Sequence, residues 1–523
     1  MGTQNKTQIH GRMCMERIAV IDMGSNSIRF IVMGIADNQS YRLEYQQKEA
    51  IRLGKGMSET GRLSPDGVKR AMACLSVYKH IMEVMGVTRC IAIATAAARS
   101  AKDGTSFIER IRRETGIEVE VVSGEREAYL GYLGVVNTIA EKNFLQFDLG
   151  GASIEVTLVK GRKIVHSVSV PIGAVTMTDK FSLAGKVVPA AMEKCRKYVE
   201  KRFEEMIPWA KGVRLPIIGV GGTVRNLGKI DQAKERYQLA RIHNYRMPHK
   251  RFDALCTMIA TSSLAVRKRI KGLSSDRADL IVAGTLIIRT LMDYAKGGDV
   301  IVSGCGLRDG AFFGYYGEKY GEGKVAKDVL RMSVRNYLGW TDHCMEHLER
   351  VHTKASSLFD QLAPLHGAKG RARTLLGVAA WLHDAGQAIN YYDHARHSAF
   401  VIAHAPLYGM THKEQLMAAF IAGFHHGISS RTMRAYRYAM MLSSDDWQTV
   451  RRLALLLALA EASDVTHEGN VERLRARIAD EAVVLTAYAK KGTDHSAADL
   501  EMKQFAKSFK KEYGKPLIVL WRL

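Results

Sequence analysis

One short pattern occurs twice in this chain. Near the N-terminus stands Ile18-Ala-Val-Ile-Asp22-Met-Gly24-Ser25-Asn26-Ser27-Ile28-Arg29-Phe30. Further on comes Phe144-Leu-Gln-Phe-Asp148-Leu-Gly150-Gly151-Ala152-Ser153-Ile-Glu155-Val. Each copy reads as a strand, a glycine turn and a second strand. Asp22 matches Asp148, Gly24 matches Gly150 and Ser27 matches Ser153, with an apolar residue after each serine. The repeat predicts two related halves, each offering one carboxylate and one loop of backbone N–H groups.

Those parts suit phosphate. Successive N–H groups in a glycine turn form an anion-binding concavity, and serine hydroxyls add donors. A carboxylate beside bound phosphate repels it unless a divalent cation lies between them. Mg²⁺ takes oxygen ligands and binds through one or two carboxylates together with substrate phosphates. Asp22, Asp148 and Glu155 are therefore the candidate ligands for Mg²⁺ or Mn²⁺.

The formal charge of +23, from 76 Lys and Arg against 53 Asp and Glu, is spread along the 523 residues and not packed into one run. That favours broad attraction to an anionic ligand: nucleic acid, nucleotide or a phosphate polymer. The length suits about three or four domains. The expected division is a disordered leader over 1–16, α/β lobes over 17–140 and 141–318, a helical domain over 319–490 and a small C-terminal segment over 491–523. The glycine- and charge-rich stretch from Tyr315 to Lys324 marks the main boundary. Seven scattered cysteines without a CxxC pair read as reduced, mostly buried thiols of a cytoplasmic protein. The polar first residues lack a signal-peptide pattern. The longest apolar run, Leu453 to Ala460, is too short to span a bilayer, so no membrane partner is expected.

Between the two hairpins, Pro65 to Met85 has helical periodicity. Ile91 to Ala94 reads as a buried strand that turns at Thr95 and Arg99, both placed to face a phosphate. Ser123 reads as a helix N-cap, with Glu125 and Glu127 in the first turn. These glutamates complement the helix dipole, or one of them projects into a cleft as a general base. Ile217-Ile-Gly-Val-Gly221-Gly222-Thr223 is a third strand and glycine turn opening a helix, again an anion site with a Thr donor.

Taken in order, Asp22-Met-Gly-Ser-Asn-Ser, Ala94-Thr-Ala-Ala-Ala-Arg99, Ser123-Gly-Glu-Arg-Glu-Ala and Phe147-Asp-Leu-Gly-Gly-Ala-Ser resemble the exopolyphosphatase/guanosine pentaphosphate phosphohydrolase (Ppx/GppA) family. The segment Ser167 to Ala174, the third glycine loop, Arg277-Ala-Asp279 and Ser303-Gly-Cys-Gly306-Leu-Arg308 extend the resemblance. It implies an α/β N-terminal half of two actin/sugar-kinase-like, ribonuclease H-like lobes and a homodimer. It also implies that Arg277 and Arg308 join the phosphate-binding residues, and that Glu127 activates water, with Glu125 as its rival. The expected activity is Mg²⁺-dependent release of terminal orthophosphate from inorganic polyphosphate. Hydrolysis of guanosine pentaphosphate is the closest alternative. Phosphoryl transfer to ADP to give ATP, and a non-catalytic polyphosphate or nucleic-acid sensor, are the others.

Beyond the boundary the pattern turns helical. Strand signals are scarce until Pro516 to Trp521. His347, His383-Asp384, His394, His397 and His425-His426 are spaced so that a helical bundle can gather them around a metal. The segment resembles an HD-type helical domain, which implies a second metal site at His347, His383 and Asp384. Asp464 stands where that pattern has its late acidic residue. Lys503, Lys507, Lys510 and Lys511 read as one basic helical face.

Overall fold

A computed structural model of the chain describes residues 15–321, 323–341, 343–427 and 437–522. The chain divides into two compact units between Val329 and Leu330. Most of the expected leader, residues 1–14, lies outside the described residues. Met15 and Glu16, expected within that leader, belong to the first strand. Glu16 accepts hydrogen bonds from the hydroxyls of Tyr315 (2.6 Å) and Tyr320 (2.7 Å).

The N-terminal unit holds two sheets built alike. In the first, β1 (Met15–Met23), β2 (Ile28–Ala36), β3 (Tyr41–Glu49), β4 (Arg89–Ala94) and β5 (Val119–Val121) lie in the order β3-β2-β1-β4-β5. The second contains β6 (Phe144–Leu149), β7 (Ile154–Lys160), β8 (Lys163–Val170), β9 (Ile217–Gly221), β10 (Tyr245–Met247) and β11 (Val300–Val302). Its order is β10-β11-β9-β6-β7-β8. Strands β6, β7, β8, β9 and β11 repeat the first sheet's order and pairing sense, and β10 adds an antiparallel edge. This is the actin-like topology in duplicate. The central strand β1 is buried from Ile18 to Ile21, which is why it reads as a continuous apolar run and not as an alternation.

Local chemistry sets the helices that cover these sheets. Pro65–Met85 starts at Ser64, whose side chain accepts from Gly67 N, and stops at Gly86 in the left-handed region. Its Tyr78 stacks on Phe30 of β2 with ring centroids 4.5 Å apart. Gly124–Val136 is capped by Ser123, which accepts from Arg126 N. This helix meets Leu307–Tyr320 at backbone contact. A methyl group on Gly310 would fall 1.8 Å from Leu130 O, and one on Gly134 2.2 Å from Gly306 O.

The C-terminal unit is a helical bundle joined to a small sheet through one core. Helices Met345–Gln361, Ala372–Leu382, His412–Gly423 and Ser444–Ala462 share that core with β12 (Val471–Ile478), β13 (Val483–Ala489) and β14 (Leu517–Arg522). Only β14 stood out in the sequence. β12 reads Val-Glu-Arg-Leu-Arg-Ala-Arg-Ile, and a register shift near its start breaks the alternation. β13 does alternate, with Val483, Leu485, Ala487 and Ala489 buried. The expected single basic helix is two helices, Ser496–Gln504 and Ala506–Tyr513, interrupted at buried Phe505. Two of the six described cysteines, Cys195 and Cys256, are buried, and Cys90 and Cys344 are exposed, so the thiols are not mostly buried. No helix among the described residues is long and apolar enough to cross a membrane.

The Gly134–Gly310 crossing sets the position of the helix that carries Glu127. Replacing Gly310 with Ala should cost about 1–3 kcal/mol through overpacking, read as a lower urea midpoint for the N-terminal unit. An unchanged midpoint would show that the helices separate freely.

Candidate phosphate-binding cleft and C-terminal histidine cluster

The two repeated hairpins have the same turn. Gly24 N donates to Ser27 O and Gly150 N donates to Ser153 O, both at 3.0 Å. Around the first turn, Ser25 O accepts from Gly54 N and Asn26 O from Arg52 N. Ser25, Asn26, Ser27 and Ser153 are buried, and the Asn26 side-chain Nδ2 has no hydrogen-bond partner among the described residues. The second turn is braced by Ala174 N donating to Gly150 O and Val175 N to Gly151 O, while Ala152 between them is half-buried. The turns face one another closely: a Cβ on Gly151 would come within 3.0 Å of Ser25 Cβ.

Each hairpin then sets a charged pair across its ladder, because directly opposed residues project to the same face. In the first, Asp22 is opposite Arg29, with Arg29 Nη1 3.9 Å from Asp22 Oδ2. In the second, Asp148 is opposite Glu155. Glu155 Oε1 accepts from the hydroxyls of Ser153 and Ser169, both at 2.7 Å. Glu127 reaches the same region from the first turn of its helix. Its Oε2 is 3.2 Å from Arg99 Nη1, and Arg99 also donates to Val122 O at 2.6 Å. The Glu127 side chain is 13% exposed, whereas Glu125 is an exposed residue.

Crowding shows in the acidities. Burial raises Asp22 against the pull of Arg29, and lifts Asp148 to about 6 against Arg29 and Arg225. Burial and then Asp148 raise Glu155. Burial and then Glu155 raise Glu127, with Arg99 opposing. Four carboxyls thus share one region and resist full ionisation together, a donor set that calls for a cation.

Cations line the same region. Arg225, on helix Gly222–Lys234, donates from Nε to Gly221 O and from Nη1 to Gly304 O. Gly221 has φ of 105°, which favours glycine, and a Cβ there would lie 3.2 Å from Asp148 Oδ1. The guanidinium of buried Arg277 packs on Gly222, where a Cβ would fall 2.6 Å from Cζ. Arg308 donates to Asp309 Oδ1 at 3.4 Å, and its buried Nε has no hydrogen-bond partner among the described residues. Burial and then Arg29 lower Arg225 to about 9, while burial and then Arg277 lower Lys48. These mutual effects place Arg29, Arg225, Arg277 and Lys48 on one electropositive wall. Thr95 is buried where β4 ends, its N donating to Met23 O. Thr223 is buried, and a Cβ on Gly284 would fall 2.6 Å from its Oγ1.

Arg29, Arg225 and Lys48 were not singled out from the sequence. The repeat held a signal for the first, since Arg29 stands where the second copy has Glu155. Arg225 lies one helical turn beyond Gly221.

In the C-terminal unit, His347, His383 and Asp384 do come together. Asp384 Oδ2 lies 3.6 Å from His383 Nε2 and 3.8 Å from His347 Nε2. Asp464 Oδ2 is 2.8 Å from His347 Nδ1, while Arg350 Nε donates to it at 2.9 Å. Its carboxylate is thus engaged by His347 and Arg350. His394, His425 and His426 border the same cluster, and His467, absent from the expected set, stacks on His347 with ring centroids 3.7 Å apart. His397 makes no described contact with the cluster.

Comparison with known proteins agrees with this architecture. Residues 33–318 match the model of the Ppx/GppA phosphatase family, and 333–504 match its domain III. A bifunctional 3-dehydroquinate synthase/phosphatase of Fusobacterium nucleatum is 30% identical over 298 residues, which cover 54% of this chain and 44% of that protein. The chain thus spans less than half of that relative. A guanosine-5'-triphosphate,3'-diphosphate pyrophosphatase of Pseudoalteromonas atlantica is 26% identical over 458 residues, covering 82% of this chain and 86% of the relative. The crystal structure of an exopolyphosphatase from Cytophaga hutchinsonii superimposes with a TM-score of 0.55 at 26% identity, over 60% of this chain and all of that one. The duplicated lobes, the facing hairpins and these matches carry one conclusion: the chain belongs to the Ppx/GppA phosphatase family.

Proposed function

We propose that the protein is an exopolyphosphatase, a Mg²⁺-dependent hydrolase that releases terminal orthophosphate from inorganic polyphosphate. One observation carries the reading: Glu127, half-buried and held by Arg99, stands among Asp148 and Glu155 with its proton affinity raised. A carboxylate so placed takes a proton from water. Phosphoryl transfer otherwise asks for positioning and charge neutralisation. The backbone N–H groups of the two turns, Asn26 Nδ2 and Arg308 Nε are donors for the phosphates. Arg29, Arg225 and Arg277 offset their charge. Water oxygen bonds to the terminal phosphorus, the bridging P–O bond breaks, the shortened chain leaves as a phosphate, and Glu127 holds the released proton.

Asp22, Asp148 and Glu155 are the residues for Mg²⁺ or Mn²⁺. The donors are all oxygen, which suits either ion. Among the described residues, the groups of three close ligand atoms lie in the C-terminal unit and not in this cleft. That fits a cation held by one or two of these three carboxylates plus substrate oxygens, the usual arrangement for Mg²⁺. Such an ion supplies neutralisation of the phosphate oxygens.

A long polyanion is favoured over a nucleotide by the net charge of +23 and the electropositive wall. A second reading, hydrolysis of guanosine pentaphosphate, is favoured by the name of the relative that matches 82% of the chain. Orthophosphate release from long-chain polyphosphate and from guanosine pentaphosphate, each with Mg²⁺ and with chelator, separates the two. Faster Mg²⁺-dependent release from the polymer is expected. Release from the nucleotide alone would make the second reading correct.

Glu127→Gln should keep substrate binding and lower kcat by about 10²–10⁴-fold, the worth of a general base. Glu125→Gln should stay near wild type, and the opposite pattern would reject the assignment. The pH profile gives an independent check. A base must be unprotonated to act, and burial and then Glu155 raise Glu127, with Arg99 opposing. Activity should therefore climb with pH on a limb centred above the ordinary carboxylate range. A profile flat from pH 5 upward would contradict the raised carboxyls.

A further inference from the structure

The three-stranded sheet of the C-terminal unit buries one face and leaves the other open. Leu474 of β12, Val483, Leu485 and Ala487 of β13 and Leu517 of β14 enter the core. Strand side chains alternate between faces, so the residues between these point the other way. On β12 they are Arg473, Arg475 and Arg477, all exposed. The register sets Arg473 beside Tyr488 and Tyr488 beside Arg522, then Arg475 beside Thr486 and Thr486 beside Leu520. Ile518 and Leu520 of β14 are 45% and 49% exposed. The open face is thus a row of guanidinium groups, then an aromatic ring and a hydroxyl, then two bare aliphatic side chains and a fourth guanidinium.

No carboxylate stands among these residues. Within the described residues none of the four arginines is in an ion pair, not even with Asp480 and Glu481 of the turn that joins β12 to β13. A surface charged for solubility mixes both signs, whereas unopposed cations suit a polyanion. Alternate residues of a strand lie about 6.8 Å apart, so the β12 row offers one fork to each of several successive phosphates of an extended chain. Arg473 Cζ is 4.1 Å from the centroid of the Tyr488 ring, which makes a layered platform. Nucleic-acid bases stack on tyrosine rings and on guanidinium planes alike. Inorganic polyphosphate is anionic oxygen throughout and gains nothing from Tyr488, Ile518 or Leu520. A nucleotide strand alternates phosphates with flat bases and uses both kinds of residue. In a duplex those bases are already stacked on one another and offer no free ring face. Thr486, half-buried at the centre of the sheet, brings a hydroxyl that can bond a ribose 2′-OH.

We propose that the open face of β12, β13 and β14 binds single-stranded RNA. The β12 arginines hold the backbone, the Arg473–Tyr488 layer stacks a base, and Leu520 and Ile518 cover its neighbours. Thr486 takes the 2′-hydroxyl. Charge and stacking read no base edge, so the face tolerates many sequences. It shares no residue with the phosphate cleft and holds whichever substrate that cleft takes.

The test is binding of a short fluorescent oligouridylate to the full-length protein, read by polarisation. The logarithm of the affinity should fall by about 2–3 per tenfold rise in salt, as expected for three or four neutralised phosphates. The double variant Arg475→Glu/Arg477→Glu should weaken binding about tenfold or more. Tyr488→Leu, which keeps apolar bulk and removes the ring, should weaken it about 5- to 100-fold, the worth of one stacked base. Circular dichroism should report both variants folded, and Tyr488→Leu should bind long-chain polyphosphate as wild type does. The matching oligodeoxyuridylate and an RNA duplex should bind more weakly than the oligouridylate. Absence of salt-dependent binding in wild type, or unchanged affinity in both folded variants, would overturn the proposal. Equal or tighter binding of the deoxy strand or the duplex would overturn the assignment to single-stranded RNA. A parallel loss of polyphosphate binding in Tyr488→Leu would make the face a site for the polymer and overturn it too.

Discussion

The N-terminal site depends on strand register. Antiparallel pairing puts Asp22 opposite Arg29 in one hairpin and Asp148 opposite Glu155 in the other. A slip of one residue in either ladder would turn these side chains to the opposite face. The fold repeats the hairpin, but the chemistry does not repeat. One copy is nearly neutral, and the other concentrates negative charge that Glu127 increases from the neighbouring helix. The cleft is thus polar in the electrical sense, with carboxylates gathered around Asp148 and guanidinium groups around Arg225 and Arg277. Under the proposed function, a phosphate with a divalent cation beside it would answer both halves at once.

Backbone packing holds that arrangement. The Gly134–Gly310 crossing lets two helices touch, and so fixes the depth at which Glu127 enters. The left-handed turn at Gly221 brings the third loop against Asp148. Serine hydroxyls from two strands hold Glu155 in place. Each contact turns a local sequence rule, a cap or a small residue, into the position of a charged group.

The duplicated lobes were legible because the repeat carries both a period and chemistry: Asp, Gly and Ser at matching offsets between apolar runs. The helix from Pro65 was legible for the same reason, since its cap and apolar stripe agree. What escaped was information held in three dimensions. Arg225 and Lys48 look like ordinary surface cations until the sheets bring them beside Arg277. β12 is disguised by arginines on its open face and by its bulge. In the C-terminal unit the histidines were visible as a set, yet the contacts of His383, His394 and His425 Nδ1 depend on the carbonyls of Ala380, Tyr391 and Ala422, which no spacing reveals.

Water attack on the terminal phosphorus in the N-terminal cleft is tested most directly by turnover of polyphosphate in water enriched in heavy oxygen, with mass analysis of both products. Each released orthophosphate should carry one solvent oxygen and the shortened chain none. Label in the shortened chain, or orthophosphate without label, would contradict it.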